Sequence, residues 1–328
     1  MKSSSQSLVE RWVGQAGRSR LAFALALVGV LVLLLAVAVF AHGLAADGRW
    51  SLWKSALEPA VILYTLAIYP FLHRRWTRAV DALRSLAHRP ELVEQARAAN
   101  TNGEWAALLL GAAFSVWVTD PGHSAGRWWL LLYVTVSNIV MFGLMALAIY
   151  DCLARTWRLR RVVRSGLQLD LFDRASYAPL ARWGQSVSLI FVGGTCLSLL
   201  FQSYETLNTM RSIVIYSIMI GVSLTLFFIS IWSIHDALVA AQRRELAIVR
   251  EHWTRARSEL KRKLAEDPAG EISGLYEPIF VLGGVESQIL AASTWPFNPK
   301  IVKELVATVV APILIYVLKI AVGLSRNA

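Results

Sequence analysis

Charge is scarce in this chain. Only 17% of its 328 residues are Asp, Glu, Lys or Arg, where soluble proteins carry roughly a quarter. Acidic residues are the scarcer sign, 22 against 33 basic. With 56% hydrophobic residues and a mean hydropathy of +0.50, an ordinary soluble domain is excluded and a membrane protein is required.

Cysteine and histidine are equally sparse. The two cysteines, Cys152 and Cys196, differ in depth by about ten helical residues, or ~15 Å, too far for a disulfide. The six histidines form no HExxH and no zinc-ligand spacing. No phosphate-cradling glycine loop and no GxSxG elbow is present. His235 and Asp236 come closest to an acid/base pair, but adjacent helical residues do not face each other. No catalytic residue, metal or cofactor is therefore expected, and the chain reads as a non-enzyme.

What the sequence does have is long apolar runs. A helix needs about 20 apolar residues to cross ~30 Å of hydrocarbon. Seven candidates appear, at 21–42, 57–72, 105–120, 128–150, 185–205, 212–234 and 304–324. The fold class expected is all-α, a polytopic membrane protein with seven spans and a cytoplasmic helical layer.

The net charge of +11 would suit nucleic acid if the basic residues formed a domain, but they sit between the apolar runs. Cytoplasmic segments accumulate Lys and Arg. With the N-terminus inside, residues 1–20, 73–104, 151–184 and 235–303 hold 4, 6, 7 and 10 of the basic residues, 27 of 33 in all. Arg49, Lys54, Arg127, Arg211 and Arg326 fall outside, and Lys319 lies within the last span. Dropping the two short spans would strand six arginines of 73–104 on the wrong side. The first span is too long for a cleaved signal core and reads as an anchor. Arginine outnumbers lysine 26 to 7, which suits a GC-rich bacterial genome. A bacterial inner membrane is expected, with the C-terminus periplasmic, lipids as partners and no nucleic acid.

Three regions follow: 1–234 with six spans and basic loops, 235–303 as a cytoplasmic helical segment, and 304–328 as the last span and tail. In 73–90, Trp76, Val80 and Leu83 recur at helical spacing among Arg74, Arg75, Arg78 and Arg84. This is an interfacial helix, a continuation of span two, or a solvated basic face. After span six no Pro or Gly interrupts 231–265, so one helix is expected to leave the bilayer. Its stripe of Val239, Leu246, Val249, Trp253, Ala256 and Leu260 must pack on something, within one subunit or between subunits. Gln242 breaks that stripe. Asn298 and Pro299 can start the final helix.

Polar groups inside spans are costly without partners. Ser217, Gly221 and Thr225 form a small-residue row at i, i+4, i+8, a candidate helix-packing seam. In the last helix Thr308, Pro312, Tyr316, Lys319 and Gly323 share roughly 80° of arc, and the rest is aliphatic. The stripe admits two roles. It packs against its own subunit, with Lys319 reaching the outer headgroups, or Thr308, Pro312, Tyr316 and Lys319 line a pore formed by several copies.

The segments LQLDLFDRASYAPLARWG and TWPFNPKIVKELVATVVAPIL resemble phrases of uncharacterised bacterial multi-pass membrane proteins. The layout of seven spans, N-terminus inside, with a cytoplasmic helical layer and a long last helix resembles that of the insect odorant and gustatory receptor channels. That resemblance implies a tetramer with the final helix along a central pore. The tail motif of that family, a Thr-Tyr pair followed by Gln-Phe, is absent from IYVLKIAVG. Two functions are carried forward: an oligomeric channel, gated by a ligand or not, and a non-conducting scaffold or sensor that recruits a cytoplasmic partner. A secondary transporter comes third.

Overall fold

The computed structural model describes Leu8, Arg11, Trp12, residues 20–42, 55–86, 90–98, 100–119, 127–164, 172–202, 207, 209–266, 273–294, 310–319, 321 and 322. These residues form helices and short connections: α1 Arg20–His42, α2 Leu57–Leu86, α3 Pro90–Arg97, α4 Thr101–Val118, α5 Trp128–Arg164, α6 Arg174–Phe201, α7 Met210–Glu266, α8 Ser273–Ala291 and α9 Val310–Lys319. Among them α1, α5 and α6 contain spans long and apolar enough to cross a membrane, and 212–225, 280–291 and 310–319 are shorter apolar helices.

Continuity of helix is the main feature of α2 and α7. The basic stretch after residue 72 belongs to α2, where Trp76, Val80 and Leu83 are buried while Arg74, Arg78 and Arg84 are exposed. Of the three possibilities for that stretch, continuation of the second apolar run is the one observed. The helix α7 runs 57 residues without a break, roughly 85 Å at 1.5 Å per residue. The boundary drawn at 234 between a membrane region and a cytoplasmic segment therefore falls inside one rigid element.

Two larger apolar cores lie along these helices. One joins α1, α2 and α5 through Leu31, Leu35, Ala38, Ile62, Tyr133, Leu144 and Leu147. The other gathers Trp76, Leu83, Val93, Leu159, Leu180, Trp183, Leu238 and Ile289 at the arginine-rich end. There the α7 stripe finds its partner within the same chain: Leu246 and Val249 pack with Val285 and Ile289 of α8. Gln242 bridges the pair by donating to the Ile289 carbonyl at 2.8 Å, so the residue that interrupts the apolar pattern ties the hairpin together.

Helix α4 has a local start signal. The Asn100 side chain accepts from the Gly103 amide at 3.4 Å, satisfying one of the amides left open at a helix start. It lies close along α5, because a Cβ on Gly111 would stand 2.3 Å from the Phe142 carbonyl oxygen. Its opposite face is apolar and exposed at Leu109, Leu110 and Val116.

Candidate functional site

A cavity of about 790 Å³ opens between α2, α5, α6 and α7, within the range of small-molecule sites. One face of each helix lines it. Val61, Thr65, Ile68 and Leu72 come from α2 at spacings of four, three and four. Asn138, Met141, Met145 and Ala148 come from α5. Ile190, Phe191, Gly194 and Ser198 come from α6, and Ser212, Ile215, Tyr216 and Met219 from α7. The small residues Thr65, Ala148, Gly194, Ser198 and Ser212 leave the space. Larger side chains at those positions would close it.

The glycine pair of α6 shapes one wall. A Cβ on Gly193 would lie 2.3 Å from Tyr64 Oη, and one on Gly194 would lie 3.3 Å from Tyr64 Cε1. The ring of Tyr64 thus rests on Gly193 and Gly194, and its hydroxyl donates to the Ile190 carbonyl at 2.8 Å. Close helix packing is the role these glycines fill.

Most polar groups around the cavity are paired. Ser198 Oγ and Tyr216 Oη share a hydrogen bond of 2.7 Å, and Asn138 Nδ2 donates to Thr119 Oγ1 at 3.1 Å. Two are not. Glu58 Oε2 and Tyr69 Oη are buried without a hydrogen-bond partner among the described residues, and both side chains line the cavity. Eleven residues of α2 separate them, roughly 16 Å of rise. Between them the lining mixes apolar side chains with polar groups that are themselves paired, such as Thr65, Asn138 and Ser198.

Beyond Tyr69 and Leu72 the bundle carries buried charge. Arg155 donates to Asp151 Oδ2 at 2.7 Å, with both residues 8% exposed. The Arg155 guanidinium stands 5.9 Å from the centre of the Trp76 ring, and Trp76 packs on Trp183 at 5.2 Å. Trp183 Nε1 donates to Thr156 at 3.3 Å. Glu104, 1% exposed, accepts from the Leu8 amide at 2.8 Å and lies 3.8 Å from Arg11.

The residues expected to carry function from the last helix lie elsewhere. Thr308 is outside the described residues. Pro312 is buried and lines a small space with Ser188, Thr195 and Ser223 of α6 and α7. Tyr316 packs on the core of Leu199, Leu207 and Tyr216. Lys319 Nζ donates to the carbonyls of Leu200 at 2.7 Å and Gln202 at 2.6 Å. In the single chain Pro312, Tyr316 and Lys319 face the chain's own helices. The terminal carbonyls of α6, which lack intrahelical amides, take the ammonium, and the aliphatic remainder at Ile313, Leu314, Val317 and Leu318 is exposed.

The Ser217, Gly221 and Thr225 row is not buried against any described helix of this chain. Ser217 and Thr225 are exposed, and nothing lies within 4 Å of a Cβ built on Gly221. Of the candidate acid/base pair, His235 Nδ1 meets the Thr294 carbonyl at 3.0 Å while Asp236 is exposed.

Sequence reasoning passed over Glu58, Tyr69, Asp151 and Arg155. Signals for them were present. Glu58 is an acid at the start of an apolar run, and Asp151 and Arg155 stand four apart where opposite charges on one helix meet. No protein family, curated protein or solved structure matches this chain.

Proposed function

We propose that the chain is a non-conducting membrane sensor: it takes a small amphipathic molecule into the cavity and transmits occupancy to a cytoplasmic helical layer. In this reading it spans the bacterial inner membrane seven times, N-terminus cytoplasmic and C-terminus periplasmic, which leaves Glu58 toward the periplasm and the α7–α8 hairpin inside. The placement of 27 of 33 basic residues supports that orientation.

One observation carries the reading. A single uninterrupted helix, α7, supplies both the cavity wall at Ser212–Met219 and the face that packs on α8 from Gln242 onward. From Met219 to Arg250, which pairs with Glu286 of α8 at 3.0 Å, the rise is roughly 46 Å. A ligand that moves the wall moves a lever. A pore along α9 would require Pro312, Tyr316 and Lys319 to leave the contacts they make within the chain, so the geometry favours the sensor over the channel. The open Ser217, Gly221, Thr225 row suits self-association of two copies.

The test uses the full chain in nanodiscs, with hydrogen exchange followed with and without a single-chain amphiphile. Exchange in 242–291 is expected to change with the ligand. Ala240→Pro, on an exposed position between cavity and hairpin, breaks the lever and is expected to abolish that response while binding persists. Ligand binding with no response in 242–291, or ion conductance by the purified protein, would overturn the proposal.

A further inference from the structure

We infer that the molecule for which this cavity is built is a monocationic amphiphile with its ammonium head on Glu58 and its apolar tail directed toward Tyr69. The inference rests on the sensor reading above and names the chemistry of its ligand.

Glu58 is the sole Asp, Glu, Lys, Arg or His among the described lining residues. Its Oε2 is buried and has no hydrogen-bond partner there. An isolated carboxylate removed from water is strongly disfavoured, and an opposite charge in contact restores much of what is lost. Among the described lining residues there is no Lys, Arg or His. A fatty acid or a phosphate group would therefore bring a second negative charge with nothing to meet it. The tail path between the two ends is Val61, Ile68, Met141 and Met145, apolar and, through the methionines, adaptable in shape. Tyr69 Oη, the second unsatisfied atom, can take a terminal hydroxyl or an ordered water at the tail end. An ethanolamine phospholipid offers the same ammonium, but it carries its own phosphate into a site without cations.

The experiment places the chain in nanodiscs of an uncharged glycolipid and measures binding of dodecylammonium, dodecanol and laurate by equilibrium dialysis with labelled ligand. Wild type is expected to bind the ammonium compound about tenfold or more tighter than the other two, as a charge-assisted contact implies. Glu58→Gln is expected to erase that preference while leaving dodecanol binding within about threefold, since the apolar path is untouched. The wild-type comparison stands even where Glu58→Gln fails to fold.

Equal affinity for all three compounds in wild type would overturn the ammonium assignment and leave the sensor reading standing. Absence of any saturable binding would overturn both. Lys54, four residues before Glu58 in sequence and outside the described residues, is controlled by Lys54→Gln. A preference that emerges only in that variant would make the chain's own lysine the counter-charge and overturn the assignment. Competition by added ethanolamine phospholipid at equal affinity would overturn the monocationic assignment, because its phosphate would then cost nothing in this site.

Discussion

Lys319 Nζ lies 2.6 Å from the carbonyl oxygen of Gln202, so the charge in the last apolar helix closes the end of another helix of the same chain. That contact, with its twin to Leu200 at 2.7 Å, decides which way α9 faces. Lys319→Met is expected to lose about 1.5–3 kcal/mol, the range for hydrogen bonds to charged groups. Lys319→Arg should retain a large part of it. Unfolding of the purified protein in nanodiscs measures both, and equal stability of Lys319→Met and wild type would remove Lys319 from this role.

The approach of α4 to α5 depends on the missing side chain of Gly111. Its Cβ would meet a backbone carbonyl at 2.3 Å and the Ala146 Cβ at 2.7 Å, neither of which can swing aside. Gly111→Ala is expected to cost about 1–3 kcal/mol by overpacking. Gly221→Ala, with open space around it, should be neutral or stabilising by up to about 1 kcal/mol in a single chain. Parallel thermal melts compare them. A loss of self-association in Gly221→Ala, at unchanged monomer stability, would mark that row as an interface between copies.

Asp151 and Arg155 form a pair that is better kept or removed whole. Truncating one partner leaves a buried charge without its counter-charge, and Asp151→Ala is expected to cost about 3–5 kcal/mol. The double replacement Asp151→Leu with Arg155→Met should recover part of that loss, because apolar groups of similar size need no counter-charge. A double-mutant cycle in denaturant reports the coupling. Strict additivity of the single effects would show that the pair does not act as a unit.

The hairpin at the arginine-rich end is held by its apolar layer more than by its exposed charges. Leu238, fully buried, is expected to cost about 2–5 kcal/mol on truncation to Ala. Arg250→Ala breaks a pair whose arginine side chain is 64% exposed and should cost at most about 1 kcal/mol. Unfolding midpoints that rank the two in the opposite order would place the stability of the hairpin in its surface electrostatics.

Composition and periodicity carried the reading of class a long way. The apolar runs, the unbroken course from span six into the basic region and the stripe ending near Leu260 are local properties. A helix expresses them through its own backbone hydrogen bonds and the 3.6-residue repeat, without knowledge of its neighbours. That is why α7 and the continuation of α2 through Trp76 and Leu83 could be read in advance, at least as possibilities. The stripe of Pro312, Tyr316 and Lys319 was likewise legible as a face.

What that face looks at was not legible, because facing is a relation between helices distant in sequence. Lys319 meets carbonyls more than a hundred positions away, and the same stripe would satisfy the periodicity equally well around a pore. The cavity is of the same kind. Each of its four walls reads as an ordinary apolar helix, and only their packing leaves about 790 Å³ between them, with Glu58 Oε2 and Tyr69 Oη lacking a hydrogen-bond partner among the described residues. The sequence by itself determined that the chain is helical, apolar and basic between its apolar runs, since those follow from residue chemistry and local repeat. Tertiary structure alone decided which polar groups are paired and which are left facing a space, since burial and partnership are set by contact.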